Sequence, residues 1–281
     1  MIVIAYKPGQ LANKLFLFAK FLAYGYKYGV LVVNPSFDDC AHYFSNTKKQ
    51  FVPASRGFRG YSSRTLIRLF YKTSFFVGRA LDRMNINMKF ISNTYLDWNQ
   101  HFNLDSDREL SRKGIHFIQG WGFDAPILMT SYKTDIIQFF QPEINLRNSV
   151  QRFFQEIGNS TNLMGVHIRQ GDYKVFEDGK YYYEVKDYVL IMKSLKVKHP
   201  DLVFLICTNN KLISHSDFDG LHVTIAPGHE LVDLYLLAKC NFIMGPPSTY
   251  SLWASFYNDV PLYQIKDIKR PVDLEDFKTE L

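Results

Sequence analysis

The segment His167-Ile168-Arg169-Gln170-Gly171-Asp172-Tyr173 gathers an imidazole, a guanidinium and a carboxylate into one short stretch. The run LMGVHIR that leads into it reads as a buried strand, whose alternation sets His167 and Arg169 on one face. Gly171 then permits a tight turn that brings Asp172 beside them. Such a strand tip suits group transfer with an anionic leaving group. Arg169 offers a planar fork to a phosphate, and Asp172 or His167 can accept a proton from an attacking hydroxyl. An Arg169–Asp172 pair that merely staples the loop fits the same spacing.

Ser248-Thr249-Tyr250-Ser251 follows the apolar run NFIMG and precedes a helical pattern. Backbone N–H groups and hydroxyls at a helix start form a ready site for a diphosphate, although Ser and Thr also cap helices that hold no ligand. Near the start of the chain, Gly9 allows close backbone approach after a first strand, and Asn13 on the following helical turn can reach the same ligand. Neither GxxxxGK[ST] nor GxGxxG is present, so a nucleotide-triphosphate cradle and a dinucleotide site are both unsupported. The nearest approach, Gly120-Trp121-Gly122, is followed by Pro126 and lacks an acidic ribose partner. Asp217-Phe218-Asp219 has the Asp-x-Asp spacing of metal-dependent sugar transferases but lies in a hydrophilic stretch typical of surface turns. The histidines show no zinc spacing.

These residues need strands to hold them, and the pattern supplies two series. MIVIAY, a long apolar-periodic helix and VLVVN make a βαβ start. IHFIQ and the helical stretch ILMTSYKTDIIQFF close a first domain over residues 1–150. LMGVHIR, DLVFLICT, LHVTI, NFIMG and PLYQI alternate with helices in a second domain over 151–281. The expected class is α/β with two Rossmann-like domains. At 281 residues, 47% apolar and 21% charged, the chain has ample material for two cores and is unlike disordered or coiled-coil chains. Aromatics reach 16%, which a bulky core explains more simply than flat-faced ligands do.

The net charge of +6 is localised: residues 46–95 carry ten Lys or Arg against the single acid Asp82. With Phe70, Tyr71, Phe75 and Phe76 interleaved, residues 48–89 predict contact with an anionic membrane surface through one amphipathic helix at about residues 62–85. No nucleic-acid motif accompanies the charge, so nucleic acid is not an expected partner. The absence of an apolar run of membrane-spanning length and of a leader pattern, with three scattered cysteines, predicts a cytoplasmic protein, peripheral on the inner face of the membrane.

His167-Ile-Arg169-Gln-Gly171-Asp172-Tyr173 resembles the HxRxGDY signature of the α1,2-fucosyltransferases of glycosyltransferase family 11 and of related α1,6- and O-fucosyltransferases. Gly9-Gln-Leu-Ala-Asn13-Lys-Leu-Phe16, Gln119-Gly120-Trp121 with Lys133, FLICTNN at 204–210, and Asp233-Leu-Tyr-Leu-Leu through Ser248-Thr249-Tyr250-Ser251-Leu-Trp253-Ala254 are similar to further family blocks, in order. The resemblance implies a GT-B fold, with the acceptor on the N-terminal domain and GDP-fucose on the C-terminal one. It also implies an inverting reaction that uses GDP-fucose as substrate, without a cofactor or an essential metal. Mapped onto this chain, Arg169, Ser248, Thr249 and Ser251 hold the pyrophosphate, and Gly9 and Asn13 lie near the transferred sugar. Asn209 and Asp233 lie on the nucleotide side with Glu230, and Asp172 rather than His167 is the base. The acceptor would be an oligosaccharide or lipid-linked glycan in cell-surface polysaccharide or O-antigen synthesis, joined by an α1,2 linkage. Two departures qualify this reading. Gln170 replaces the second arginine of HxRRGD and removes a charge near the phosphates, and Pro246-Pro247 alters the turn before Ser248. The alternatives are an α1,6-, O-fucosyl or non-fucose transferase on the same fold, a catalytically silent glycan binder, or a metal-dependent GT-A enzyme using Asp217 and Asp219.

Overall fold

The computed structural model describes residues 1–47, 64–84, 90–97, 99–158 and 162–279. They form two compact units, Met1–Glu143 and Ile144–Glu280. The division falls ahead of the expected one at 150/151 because that point lies inside a continuous helix, Ile144–Ile157, which belongs whole to the second unit.

Unit 1 is built on a four-stranded sheet of β1 (Ile2–Ile4), β2 (Val32–Val33), β3 (Ile91–Tyr95) and β5 (Ile115–Gln119), in the order β2-β1-β5-β3 with every pairing parallel. A two-stranded parallel pair, β4 (Phe102–Asn103) with β6 (Phe123–Asp124), lies beside it in sequence. Helix α1 (Leu11–Tyr28) is apolar on nearly all sides and is correspondingly buried along most of its length. It ends at Gly29, whose left-handed backbone directs its N–H to the Gly25 carbonyl. Helix α2 (Arg64–Arg83) follows, and the single helix expected between Pro126 and Phe140 is two, α3 (Pro126–Ser131) and α4 (Lys133–Phe139), which meet at the non-helical Tyr132. Much of the aromatic excess is core: Phe18 meets Phe37, Phe139 and Phe140 edge-to-face at 5.4 to 5.6 Å.

Unit 2 begins with α5 (Ile144–Ile157) and carries β7 (Leu163–Ile168), β8 (Val203–Thr208), β9 (Val223–Ile225), β10 (Phe242–Gly245) and β11 (Leu262–Gln264). Helices α6 (Val185–Lys198), α7 (Glu230–Leu237) and α8 (Thr249–Asn258) connect them. The order is β11-β10-β7-β8-β9, all parallel. The central strand β7 is buried at every position, as a strand covered on both faces must be. Tyr188, Met192 and Leu195 of α6 pack with Met164, Val166, Phe204, Ile206 and Met244 of the sheet. From β7 the chain moves outward through β8 and β9, then returns to the opposite side with β10 and β11. The strand order therefore reverses between β7 and β10, the place in a parallel sheet where a crevice opens at the carboxyl ends of the strands.

Candidate active site

The β7 end of that reversal carries Arg169 and Asp172. Gly171 adopts φ +51, a left-handed conformation that turns the chain into a short 3-10 turn over Gly171–Lys174. Arg169 then donates from Nε at 3.0 Å and Nη2 at 2.9 Å to the two carboxylate oxygens of Asp172. The arginine side chain is 13% exposed and the aspartate 48%, so the pair sits with its carboxylate toward solvent. His167 is turned inward, buried against the Tyr250 ring at 5.0 Å, and its Nδ1 finds no hydrogen-bond partner. Burial, helped by the charge of Arg169, pushes its pKa down to about 3. Of the two candidate bases, His167 is buried and Asp172 is half-exposed to solvent.

The side chain of Gln170 turns inward. It is buried, donates through Nε2 to the Tyr183 carbonyl at 3.1 Å, and accepts from Asn210 Nδ2 at 2.6 Å. The neutral amide thus braces the loop from beneath. Asn209 acts in the same way, accepting the Gln170 backbone N–H at 3.0 Å, and a Cβ at Gly171 would stand 3.1 Å from its Nδ2. Tyr173, which residue spacing did not single out, donates its hydroxyl to the Pro247 carbonyl at 2.6 Å. Its ring centroid also lies 5.6 Å from the Arg169 guanidinium. It joins the β7 loop to the β10 loop across the reversal.

The β10 side approaches β7 very closely: a Cβ at Gly245 would meet the His167 carbonyl oxygen at 2.8 Å. Pro246 and Pro247 then lead to Ser248, the N-cap of α8, whose Oγ accepts the Tyr250 N–H at 3.2 Å. Thr249 opens the helix and is partly exposed. Ser251 is fully buried and donates to the Ser248 carbonyl, so it stabilises the first turn and does not line the crevice as expected. The start of α7 lies alongside, with the Tyr250 hydroxyl donating to the Glu230 carbonyl. His229 caps α7, its Nδ1 accepting from Leu231 and Val232 N–H, a cap that sequence reasoning missed because histidine seldom serves there. Asp233 is 5% exposed, and burial raises its pKa to about 7 against the pull of the backbone N–H groups of His229 and Gly228. Its Oδ1 has no hydrogen-bond partner among the described residues. Arg169, Asp172, Asn209, Asp233, Ser248 and Thr249 thus belong to one carboxyl-end edge of one sheet.

In unit 1, Gly9 and Asn13 stand together after β1: a Cβ at Gly9 would lie 2.8 Å from Asn13 Nδ2. The cations nearby are already matched. Lys14 Nζ meets Asp39 at 2.7 Å, Lys7 meets Asp38 at 2.9 Å and Asp39 at 3.0 Å, and Arg68 Nε meets Asp38 at 3.2 Å. The Asp-x-Asp stretch resolves into local structure. Asp217 accepts the Ser214 N–H at 2.8 Å in a reciprocal cap, and Asp219 follows that short turn. Cys40, Cys207 and Cys240 are buried and form no disulfide.

Unit 2 is thus a parallel α/β unit with an Arg–Asp pair and a helix N-terminus at its strand reversal. The family model for glycosyl transferase family 11 matches residues 107–265, more than half of the chain, and the protein belongs to that family. The match takes in the Arg169 loop and the α8 turn and leaves the Gly9–Asn13 turn outside it. No curated protein matches the chain significantly. Among solved structures, an arginine-to-lysine mutant of Arabidopsis thaliana FUT1 in complex with GDP aligns over 99% of this chain and 73% of its own, with TM-score 0.62 at 10% identity. The α1,6-fucosyltransferase NodZ co-crystallised with GDP aligns over 94% of each chain, with TM-score 0.53 at 15% identity. NodZ has also been solved from Bradyrhizobium, with TM-score 0.55 at 15% identity over 96% of each chain. POFUT1 in complex with GDP-fucose gives TM-score 0.52 at 10% identity over 92% of this chain and 93% of its own. The fold is that of the GT-B fucosyltransferases, two Rossmann-like units in one chain.

Proposed function

We propose that the protein transfers fucose from GDP-fucose to a hydroxyl of a glycan, with the nucleotide sugar on unit 2 and the acceptor on unit 1. The observation that carries the reading is that Arg169 and the N-terminus of α8 stand at one strand reversal, on two loops tied by the Tyr173–Pro247 hydrogen bond. Family membership supports glycosyl transfer, and the GDP and GDP-fucose bound by the similar structures support the donor.

In this mechanism the acceptor oxygen attacks the anomeric carbon from the face opposite the diphosphate. The bond from that carbon to the β-phosphate oxygen breaks, its electron pair leaves with GDP, and the configuration inverts. Arg169 and the first N–H groups of α8 stabilise the charge that grows on the diphosphate. A diphosphate competes with Asp172 for the Arg169 fork, and the carboxylate released takes the proton from the acceptor hydroxyl. Asn209 holds the loop, and Asp233 presents its unmatched Oδ1 to the nucleotide. Gly9 and Asn13 give the sugar a neutral edge of backbone and amide. The cationic work falls to Arg169 and the helix terminus, so the reaction is proposed to be metal-independent. The acceptor is an oligosaccharide or lipid-linked glycan of the cell surface, extended by an α1,2 linkage at the cytoplasmic face.

Thermal unfolding in the presence of GDP-fucose, GDP-mannose, GDP or UDP-sugars, each with and without EDTA, tests the donor. A ligand at about 100 times its Kd stabilises by roughly 2.7 kcal/mol. Stabilisation by GDP and GDP-fucose that ignores EDTA is expected. A response to a UDP-sugar alone assigns another donor, and no response to any nucleotide supports a silent glycan binder.

A further inference from the structure

Helix α2 divides its surface into three parts. One side packs on unit 1: Ser74 and Gly78 are buried, and the Phe75 carbonyl accepts from Gln119 Nε2 at 2.9 Å. A second side is an exposed apolar stripe of Leu66, Leu69, Phe70, Phe76, Val77 and, one residue past the helix, Met84. These positions follow one another at helical spacing along about five turns. Phe76 is 67% exposed and Leu66 60%. Between the two runs a basic ribbon, Arg68, Lys72, Arg79 and Arg83, at i, i+4, i+11 and i+15. Arg68 reaches Asp38 and Arg79 lies 4.3 Å from the Tyr95 ring centroid, which fixes the ribbon's inner edge, while Lys72 and Arg83 face solvent. Among the described residues no helix is long and apolar enough to cross a membrane.

We infer that α2 docks unit 1 onto an anionic lipid surface, lying in the plane of the interface. The apolar stripe enters the headgroup boundary and the ribbon beside it meets lipid phosphates. A continuous apolar face bordered by cations, on a helix anchored by its third side, is the build of an interfacial helix. Charge complementarity selects this occupant over a second copy of the chain. Antiparallel self-pairing through the stripe would set two basic ribbons side by side, whereas an anionic bilayer neutralises each. The inference is independent of the donor assignment, because lipid binding is read without turnover.

The test is co-sedimentation of the full chain with vesicles of phosphatidylcholine alone, or with about one third phosphatidylglycerol, at about 0.05 and 0.5 M salt. Binding to the anionic vesicles at low salt, weakened at high salt, with little binding to neutral vesicles, is expected. Lys72→Gln with Arg83→Gln should lower the partition coefficient about 25-fold, at about fivefold for each cation removed. Leu69→Ser with Phe76→Ser should abolish binding even at low salt while leaving the thermal midpoint unchanged, since both side chains are exposed. Absence of sedimentation, or wild-type partitioning by either double variant, overturns the inference. So does a lipid-independent dimer that Leu69→Ser with Phe76→Ser converts to monomer without change in vesicle binding, which would assign the stripe to a second copy.

Discussion

Both sheets are parallel and both reverse their strand order, unit 1 between β1 and β5 and unit 2 between β7 and β10. Their loops treat charge in opposite ways. After β1, Lys7, Lys14 and Arg68 share the carboxylates of Asp38 and Asp39, with Lys14 and Asp38 almost wholly enclosed. Burial alone would raise the Asp39 pKa, but Lys14 and Lys7 together hold it below the usual carboxylate range. Gly9 and Asn13 add backbone and a neutral amide to this edge. After β7, one guanidinium faces one half-exposed carboxylate, and a helix N-terminus stands across the reversal. In unit 1 three cations share two carboxylates, whereas in unit 2 a single guanidinium is matched by a single carboxylate. On the proposed function, one topological device serves two chemistries, the hydroxyl-rich acceptor on unit 1 and the anionic donor on unit 2.

The largest effect that could break this contrast belongs to Arg169→Ala. If the guanidinium is the main electrostatic donor to the leaving group, turnover with GDP-fucose falls about 10²- to 10³-fold with the fold intact, by steady-state kinetics and circular dichroism. Near-normal turnover would reduce the Arg169–Asp172 pair to a staple. Next is pH. Asp233, with its pKa raised to about 7, costs the folded state stability increasingly as pH rises from about 4 to 7. His167, lowered to about 3, costs stability as pH falls below about 6.5. The two slopes oppose each other over the overlapping range. Asp233→Asn should therefore raise the thermal midpoint more at pH 8 than at pH 5, by about 2 kcal/mol at the higher pH, and equal shifts at both would contradict the assignment.

Lys14→Ala sharpens the contrast from the other side. It strands part of the Asp39 carboxylate and should destabilise unit 1 by about 2 kcal/mol in urea while GDP binding stays unchanged. A loss of GDP affinity would show that the charge cluster of unit 1 does serve the donor. The smallest effect is Tyr173→Phe, which removes the hydroxyl that meets Pro247 and Ser248. It should cost about 1 kcal/mol, seen as roughly fivefold in KM for the donor with the thermal midpoint nearly constant.

Strand and helix identities were legible because apolar periodicity reports them directly, and the Arg169–Asp172 pair was legible because Arg169, Gly171 and Asp172 follow a strand. Three things were hidden by the limits of that reasoning. Alternation predicts side-chain direction only while the strand lasts, and β7 ends at Ile168. Past that point Gln170 turns inward to Tyr183 and Asn210, although its position in the motif placed it near phosphates. Ser251 shows the same limit on a helix. Its hydroxyl type favoured a ligand, but its place one turn past the Ser248 cap aims it into the core. The Tyr173–Pro247 tie spans residues 74 apart in sequence, a distance that no local pattern reports.

The position of β5 bears on how the chain comes to be made. β1 pairs with β5 across more than a hundred residues, Ile2 beside His116, and the Met1 amine donates to the Gly114 carbonyl. Helix α2 packs partly on that same strand through Gln119. During synthesis α2 therefore leaves the ribosome before its seat exists, with its apolar stripe and its inner face both uncovered. Sheet closure of this kind is slow and exposes chains to aggregation. Unit 1 is thus the segment for which a nascent-chain chaperone, or an early encounter with lipid, would matter most, while unit 2 assembles β7 and β8 from neighbouring sequence.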